Sequence, residues 1–115
     1  MLLLVSVSDK INIITSAAVT VDVHCSFMDY DAVAVTPGRK NTNIATSATT
    51  DVTGSPGAGI QRNIKSLHVR NKHAATSVDV TVQHTDGAIA VELYKTTLSA
   101  EASFQYTNDL GFMQL

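Results

Sequence analysis

Four histidines (His24, His68, His73 and His84), one cysteine (Cys25) and ten carboxylates are the side chains of this 115-residue chain that could bind a metal or activate a nucleophile. Zinc needs several such groups converging on one point. Only His68 and His73 sit within five residues of each other, and no thiol or carboxylate accompanies them. On a strand, residues five apart point to opposite faces, and so do the neighbours His24 and Cys25. The histidines therefore read as surface or hydrogen-bonded residues, and no metal is expected. Acyl-transfer chemistry fares no better. There is no Gly-x-Ser-x-Gly elbow, and no Cys–His context activates Cys25. Cys25 shares its parity with Val23 and Phe27, which marks it as a small core residue. The carboxylates fall in no recognisable glycosidase frame. Gly54-Ser-Pro-Gly57-Ala-Gly59 lacks the Gly-Lys-Ser/Thr ending of a phosphate loop, and no helix pattern follows it. The expectation is a non-enzymatic chain without catalytic, cofactor-binding or metal residues.

Basic residues form the remaining candidate. Arg62, Lys65, Arg70 and Lys72 fall within eleven positions, and Arg39-Lys40 follow a Pro-Gly pair. The plain reading is a solvated strand face; the functional one is a positive patch that meets an acidic protein surface. Nucleic acid is not expected, because the formal charge is −2, the pI is near 6.0 and aromatic residues make up 5%.

Something must position these groups, and composition limits what it is. A mass of 12.2 kDa allows a single domain, residues 1–115, with a modest core. At 44% hydrophobic and 16% charged the chain is not of the disordered class, and one Cys cannot close an internal disulfide. No stretch approaches the ~20 apolar residues of a spanning helix, so no membrane role is expected. Met1-Leu-Leu-Leu-Val lacks a basic n-region and ends too soon for a signal peptide. It reads as an N-terminal strand or a docking arm, residues 1–7, of a protein made in the cytoplasm.

Val and Thr dominate the space that charges leave, and β-branched residues favour strands. Val19, Val21, Val23, Cys25 and Phe27 alternate against Thr20, Asp22, His24, Ser26 and Met28. In Gln61–Asn71, Leu67 and Val69 oppose Arg62, Ile64, Ser66, His68 and Arg70. Val78, Val80 and Val82 alternate, then Asp86-Gly87, then Ile89, Val91 and Leu93, which predicts a hairpin with a type I′ turn. Lys10–Thr15, Asn43–Val52, Ser103–Tyr106 and Gly111–Leu115 are further strand candidates. Thr36–Asn41 reads as a Pro-Gly turn and Thr53–Gly59 as a loop. Ser99–Ala102 allows one helical turn at most. The sum is an all-β chain of about seven to nine short strands, an antiparallel β-sandwich or jelly roll, with a closed barrel as the alternative.

Arg62-Asn-Ile-Lys-Ser-Leu-His-Val-Arg-Asn-Lys-His73, Val78-Asp-Val-Thr-Val82 and His84-Thr-Asp-Gly87 resemble small virion-associated proteins of tailed bacteriophages and prophages. The likeness continues through Ala90-Val-Glu-Leu93, Thr97-Leu98 and Tyr106…Gly111-Phe112. It also takes in Ser8-Asp9-Lys10-Ile11 and Val21-Asp22-Val23-His24, and so covers most of the chain. The resemblance implies a structural protein of the virion, and the size suits a capsid decoration or cement protein. Its partner would be the major capsid protein, bound at many equivalent sites on the capsid surface, with a dimer or trimer on the particle. A tail, baseplate or fibre component acting in host attachment is the alternative. The resemblance marks no ligand positions. The regions expected to touch a partner are the arm (Met1, Leu2, Leu3, Leu4), the loop from Pro37 with Arg39 and Lys40, and the Thr53–Gly59 loop with Pro56.

Overall fold

Alternating Val and polar residues form strands wherever a second strand is available to pair. A computed structural model describes residues 1–115 and contains ten strands and no helix. They are β1 (Leu2–Leu4), β2 (Lys10–Thr15), β3 (Val21–Tyr30), β4 (Val35–Ile44) and β5 (Thr49–Asp51). The second half supplies β6 (Gln61–Asn71), β7 (Val78–Thr85), β8 (Ala90–Leu98), β9 (Ser103–Thr107) and β10 (Gly111–Gln114). All pairings are antiparallel and fall into two sheets. One runs β10-β9-β6-β3-β4, with β1 also paired to β6; the other runs β5-β2-β7-β8. This is a two-layer sandwich rather than a closed barrel. The outer edge of β6 is shared, β1 taking its first half and β9 its second.

The inner faces meet in one cluster of 19 buried apolar residues. Ile11, Ile13, Val80 and Val82 come from the four-stranded sheet, and Val21, Val23, Cys25, Leu67, Val69 and Phe104 from the other. Burial pushes the Cys25 thiol up to about 11, as a thiol among hydrocarbon loses the solvation of its thiolate. Four aromatics join the sheets at one side. The Tyr94 ring of β8 stacks on Phe112 of β10 with centroids 4.8 Å apart and tilts against Phe104 of β9 at 5.1 Å. Asn71, fully buried, fastens the loops beyond the ends of β6 and β8. Its Nδ2 donates to the carbonyls of Thr76, Leu98 and Ser99, and its Oδ1 accepts from His73 N.

Several sequence expectations are corrected here. The strand count is ten, because Asn43–Val52 is not one strand: β4 ends at Ile44 and β5 begins at Thr49. The Pro37-Gly38 pair is not a turn but lies inside β4, opposite Met28 and Phe27. Pro37 is tolerated there because β4 is an edge strand and one side of it needs no donor. Gly38 is there because the Phe27 ring lies over it, where a side chain would collide. The turn joining β3 to β4 is instead Asp31-Ala-Val-Ala34. Asp31 Oδ1 accepts from Val33 N and Ala34 N, and Ala32 takes φ of 74°.

The β7–β8 hairpin forms as expected, yet its turn is not type I′. Four residues, Asp86 to Ile89, link the strands, and Asp86 Oδ1 accepts from Ala88 N and Ile89 N. Only Gly87 has positive φ. The same device therefore closes both hairpins.

Two bulges change the expected facing of side chains. One, opposite Ser26/Phe27, lets both Ile64 and Leu67 turn inward, although an odd separation normally opposes them. The other, opposite Val82/Gln83, leaves Val91 about half exposed and turns Tyr94 towards the core.

Candidate docking face

Register places the outward residues of the larger sheet in straight cross-strand rows. His24 of β3 is opposite Asn41 of β4 and His68 of β6, and His68 is opposite Gln105 of β9. One row further along, Asn43, Asp22, Arg70 and Ser103 are aligned; on the other side lie Arg39, Ser26, Ser66 and Thr107. Side chains directly opposite are close enough to interact, and here they do. His24 Nδ1 bonds Asn41 Oδ1 at 2.6 Å, Asn43 Nδ2 donates to Asp22 Oδ1 at 2.6 Å, and the hydroxyls of Ser26 and Ser66 pair. The Asn43 bond, helped by Lys72 Nζ at 3.2 Å, holds the Asp22 carboxyl below the usual carboxylate range. Asp22, His24, His68, Asn41 and Asn43 line a shallow concavity of about 420 Å³.

Towards the β3–β4 turn the same face becomes apolar. Pro37, Met28, Asn63 and Leu3 form one row, and Val35, Tyr30 and Gln61 the next. Leu3 is 38% exposed, Tyr30 44%, Val35 53% and Met1 75%, while Val33 at the turn is 92% exposed. Exposed apolar side chains gathered at one end of a sheet make that end the candidate docking surface. The loops at the opposite end of the sandwich, Ser16–Thr20, Ala45–Ala48, Lys72–Ser77 and Ser99–Ala102, expose no large hydrophobic residue.

The expected contact residues divide accordingly. Leu3, Pro37 and Arg39 are brought together on this face, and Met1, just before β1, is exposed. Leu2 and Leu4 point the other way; Leu2 packs against the core and Leu4 is wholly buried within it. Residues 2–4 are therefore a strand paired with β6 of the same chain, the first of the two alternatives for the N-terminal segment. Lys40 points inward along β4 and is half-buried, a placement that discourages further strand pairing at this edge. Pro56 is buried against its own chain, so its expected role as a contact is withdrawn.

The basic cluster also separates. Arg62 turns away from the face, bonds both oxygens of Asp29 at 2.8 and 3.0 Å, and stacks its guanidinium 3.9 Å above the Phe27 ring. Lys72 is tied to Asp22, which leaves Arg39 and Arg70 on the face and Lys65 at the bulge.

Met28, Tyr30, Val33 and Val35 were not among the expected contacts. The available signal was Met28, an apolar residue at a parity otherwise filled by Thr, Asp, His and Ser. The His24–His68 juxtaposition joins residues 44 positions apart and had no local signal.

No family model matches this chain, and neither the curated proteins nor the solved structures contain a match to it.

Proposed function

We propose that this chain is a non-enzymatic structural protein of a bacteriophage virion, a decoration or cement protein that docks on the major capsid protein. The observation that carries the docking part is the apolar end of the larger sheet, where Leu3, Tyr30, Val35 and Pro37 are exposed around a half-buried Met28. The virion part rests on the sequence resemblance. Edge strand β4, with Pro37 and inward Lys40, is built against pairing, so the face rather than the edge is the contact. A modest apolar patch rimmed by amides, hydroxyls and arginines suits a contact that is weak singly and repeated many times. A protein that binds the assembled lattice and not its free subunits stabilises the lattice by mass action.

The polar concavity around Asp22, Asn41 and Asn43 favours a second reading, a tail or fibre component that holds a polar host-surface group. Copy number separates the two. Quantitative mass spectrometry of purified virions, referenced to the major capsid protein, should find hundreds of copies per particle. A small multiple of three or six would replace the first reading with the second.

A further inference from the structure

We propose that His24 and His68 form a binding site for a divalent transition-metal ion of the zinc type, independent of what the apolar end docks against. The two imidazoles lie directly opposite on adjacent antiparallel strands, project from the same exposed face and line the same concavity. Directly opposed Cβ atoms are about 5 Å apart, a span that lets two imidazoles reach one ion with bonds of about 2.0–2.1 Å.

The hydrogen bonding of the four histidines singles out this pair. An amide oxygen can only accept, so the His24–Asn41 bond puts the proton on Nδ1 of His24. Neutral His24 then presents a bare Nε2. This is the arrangement in which metal-binding histidines are held, the remote ring nitrogen donating to a carbonyl or carboxylate. His68 spends neither ring nitrogen on a hydrogen bond within the chain, and so can turn either one towards the ion. The other two histidines are committed differently. His73 Nδ1 accepts from both Ala75 N and Thr76 N, so its proton is on Nε2 and neither nitrogen is free. His84 donates Nε2–H to the Leu3 carbonyl and has no histidine across from it: its strand partners are Ile11 and Val91.

Two imidazoles select a borderline-soft ion such as zinc, nickel or copper over magnesium or calcium. They leave positions on a tetrahedral ion for solvent. Asp22, one row away, is engaged by Asn43 and Lys72 and stands outside the set of ligands.

Titration calorimetry of the full chain with zinc sulfate at neutral pH tests the site. The expected result is one zinc per chain, with His24→Ala and His68→Ala each weakening binding at least tenfold. Asn41→Leu should weaken it by about tenfold or more through loss of the orienting bond. His73→Ala and His84→Ala should leave the affinity unchanged. Zinc should also raise the melting temperature of the wild-type chain and not that of the His24→Ala/His68→Ala double variant, each compared with its own metal-free melting temperature. Absence of zinc binding, an affinity that survives both His24→Ala and His68→Ala, or one lost with His73→Ala or His84→Ala would each overturn the proposal.

Discussion

Replacing Gly38 by Ala sets a general tendency against one local contact. The backbone at Gly38 lies outside the left-handed region, so nothing in its dihedral angles forbids a side chain. In a strand, exchanging Gly for Ala ordinarily stabilises by about 0.5–1 kcal/mol through the unfolded chain's entropy. Here the added Cβ would stand 2.5 Å from Cε2 and 2.8 Å from Cζ of Phe27. Carbon atoms meet comfortably at about 3.5–4.0 Å, so the ring would have to retreat by ~1 Å. The Arg62 guanidinium lies 3.9 Å over that ring and is itself fixed by Asp29 and by the Thr53 carbonyl at 2.8 Å, which limits the room for the ring to retreat. Overpacking of this kind costs about 1–3 kcal/mol, and after the entropic gain the net loss is ~1–2 kcal/mol. With a urea m-value of about 1.5 kcal/mol/M, the denaturation midpoint should fall by ~1 M. In the background Phe27→Leu, which removes the ring, the same Gly38→Ala change should cost nothing or stabilise. Equilibrium urea unfolding of the four members of this cycle gives the coupling directly. A midpoint that rises in Gly38→Ala, or a cost that persists without the ring, would refute the packing argument.

Other consequences are simpler to state. Ala32→Gly should stabilise by about 0.5–1 kcal/mol, since Ala32 sits at φ of 74° where the equivalent residue of the β7–β8 turn is Gly87; thermal unfolding checks it. Asn71→Asp removes the amide donor and sets a carboxylate, at a fully buried position, against the three carbonyls of Thr76, Leu98 and Ser99, and should cost about 3 kcal/mol or more in urea unfolding. Stability should fall in acid. Backbone N–H bonds, above all from Val5 to Asp9, Ala34 to Asp31 and Ile89 to Asp86, hold these carboxyls below the ordinary 3.8, as Asn43 does for Asp22. The unfolded chain then binds more protons than the folded one, so this stabilisation is complete above pH ~4 and is lost as the pH falls through the lowered values. Melting temperatures across pH 2–7 should show a decline confined to the acid side of about pH 4.

The inner faces were legible because alternation is a local signal. Val19 to Phe27 and Val78 to Val82 read inward in the sequence and are buried. Facing failed where a bulge added a residue, since nothing in Ile64-Lys-Ser-Leu67 announces that both apolar ends will point inward. Pro37-Gly38 carries the residue types of a turn, but its meaning depends on a long-range contact with Phe27. The candidate docking face needed register between β4, β3, β6 and β1, which is a property of the whole sheet. Of the eight expected contact residues, Leu3, Pro37 and Arg39 are on it, and Leu4 and Pro56 are buried because hydrophobicity alone does not distinguish a contact from a core.

The central claim is that the apolar end of the larger sheet is what binds the particle. Under the proposed virion role, phage particles prepared without this protein, incubated with the purified chain and sedimented, test it most directly. Wild type and Ile89→Asp, a charge placed on the β7–β8 turn of the other sheet, should co-sediment with equal occupancy. Leu3→Asp and Tyr30→Asp, each with its folding checked by thermal unfolding, should lose at least tenfold in apparent affinity, a difference of about 1.4 kcal/mol. Full occupancy by both face variants, or a loss with Ile89→Asp that matches theirs, would contradict the account.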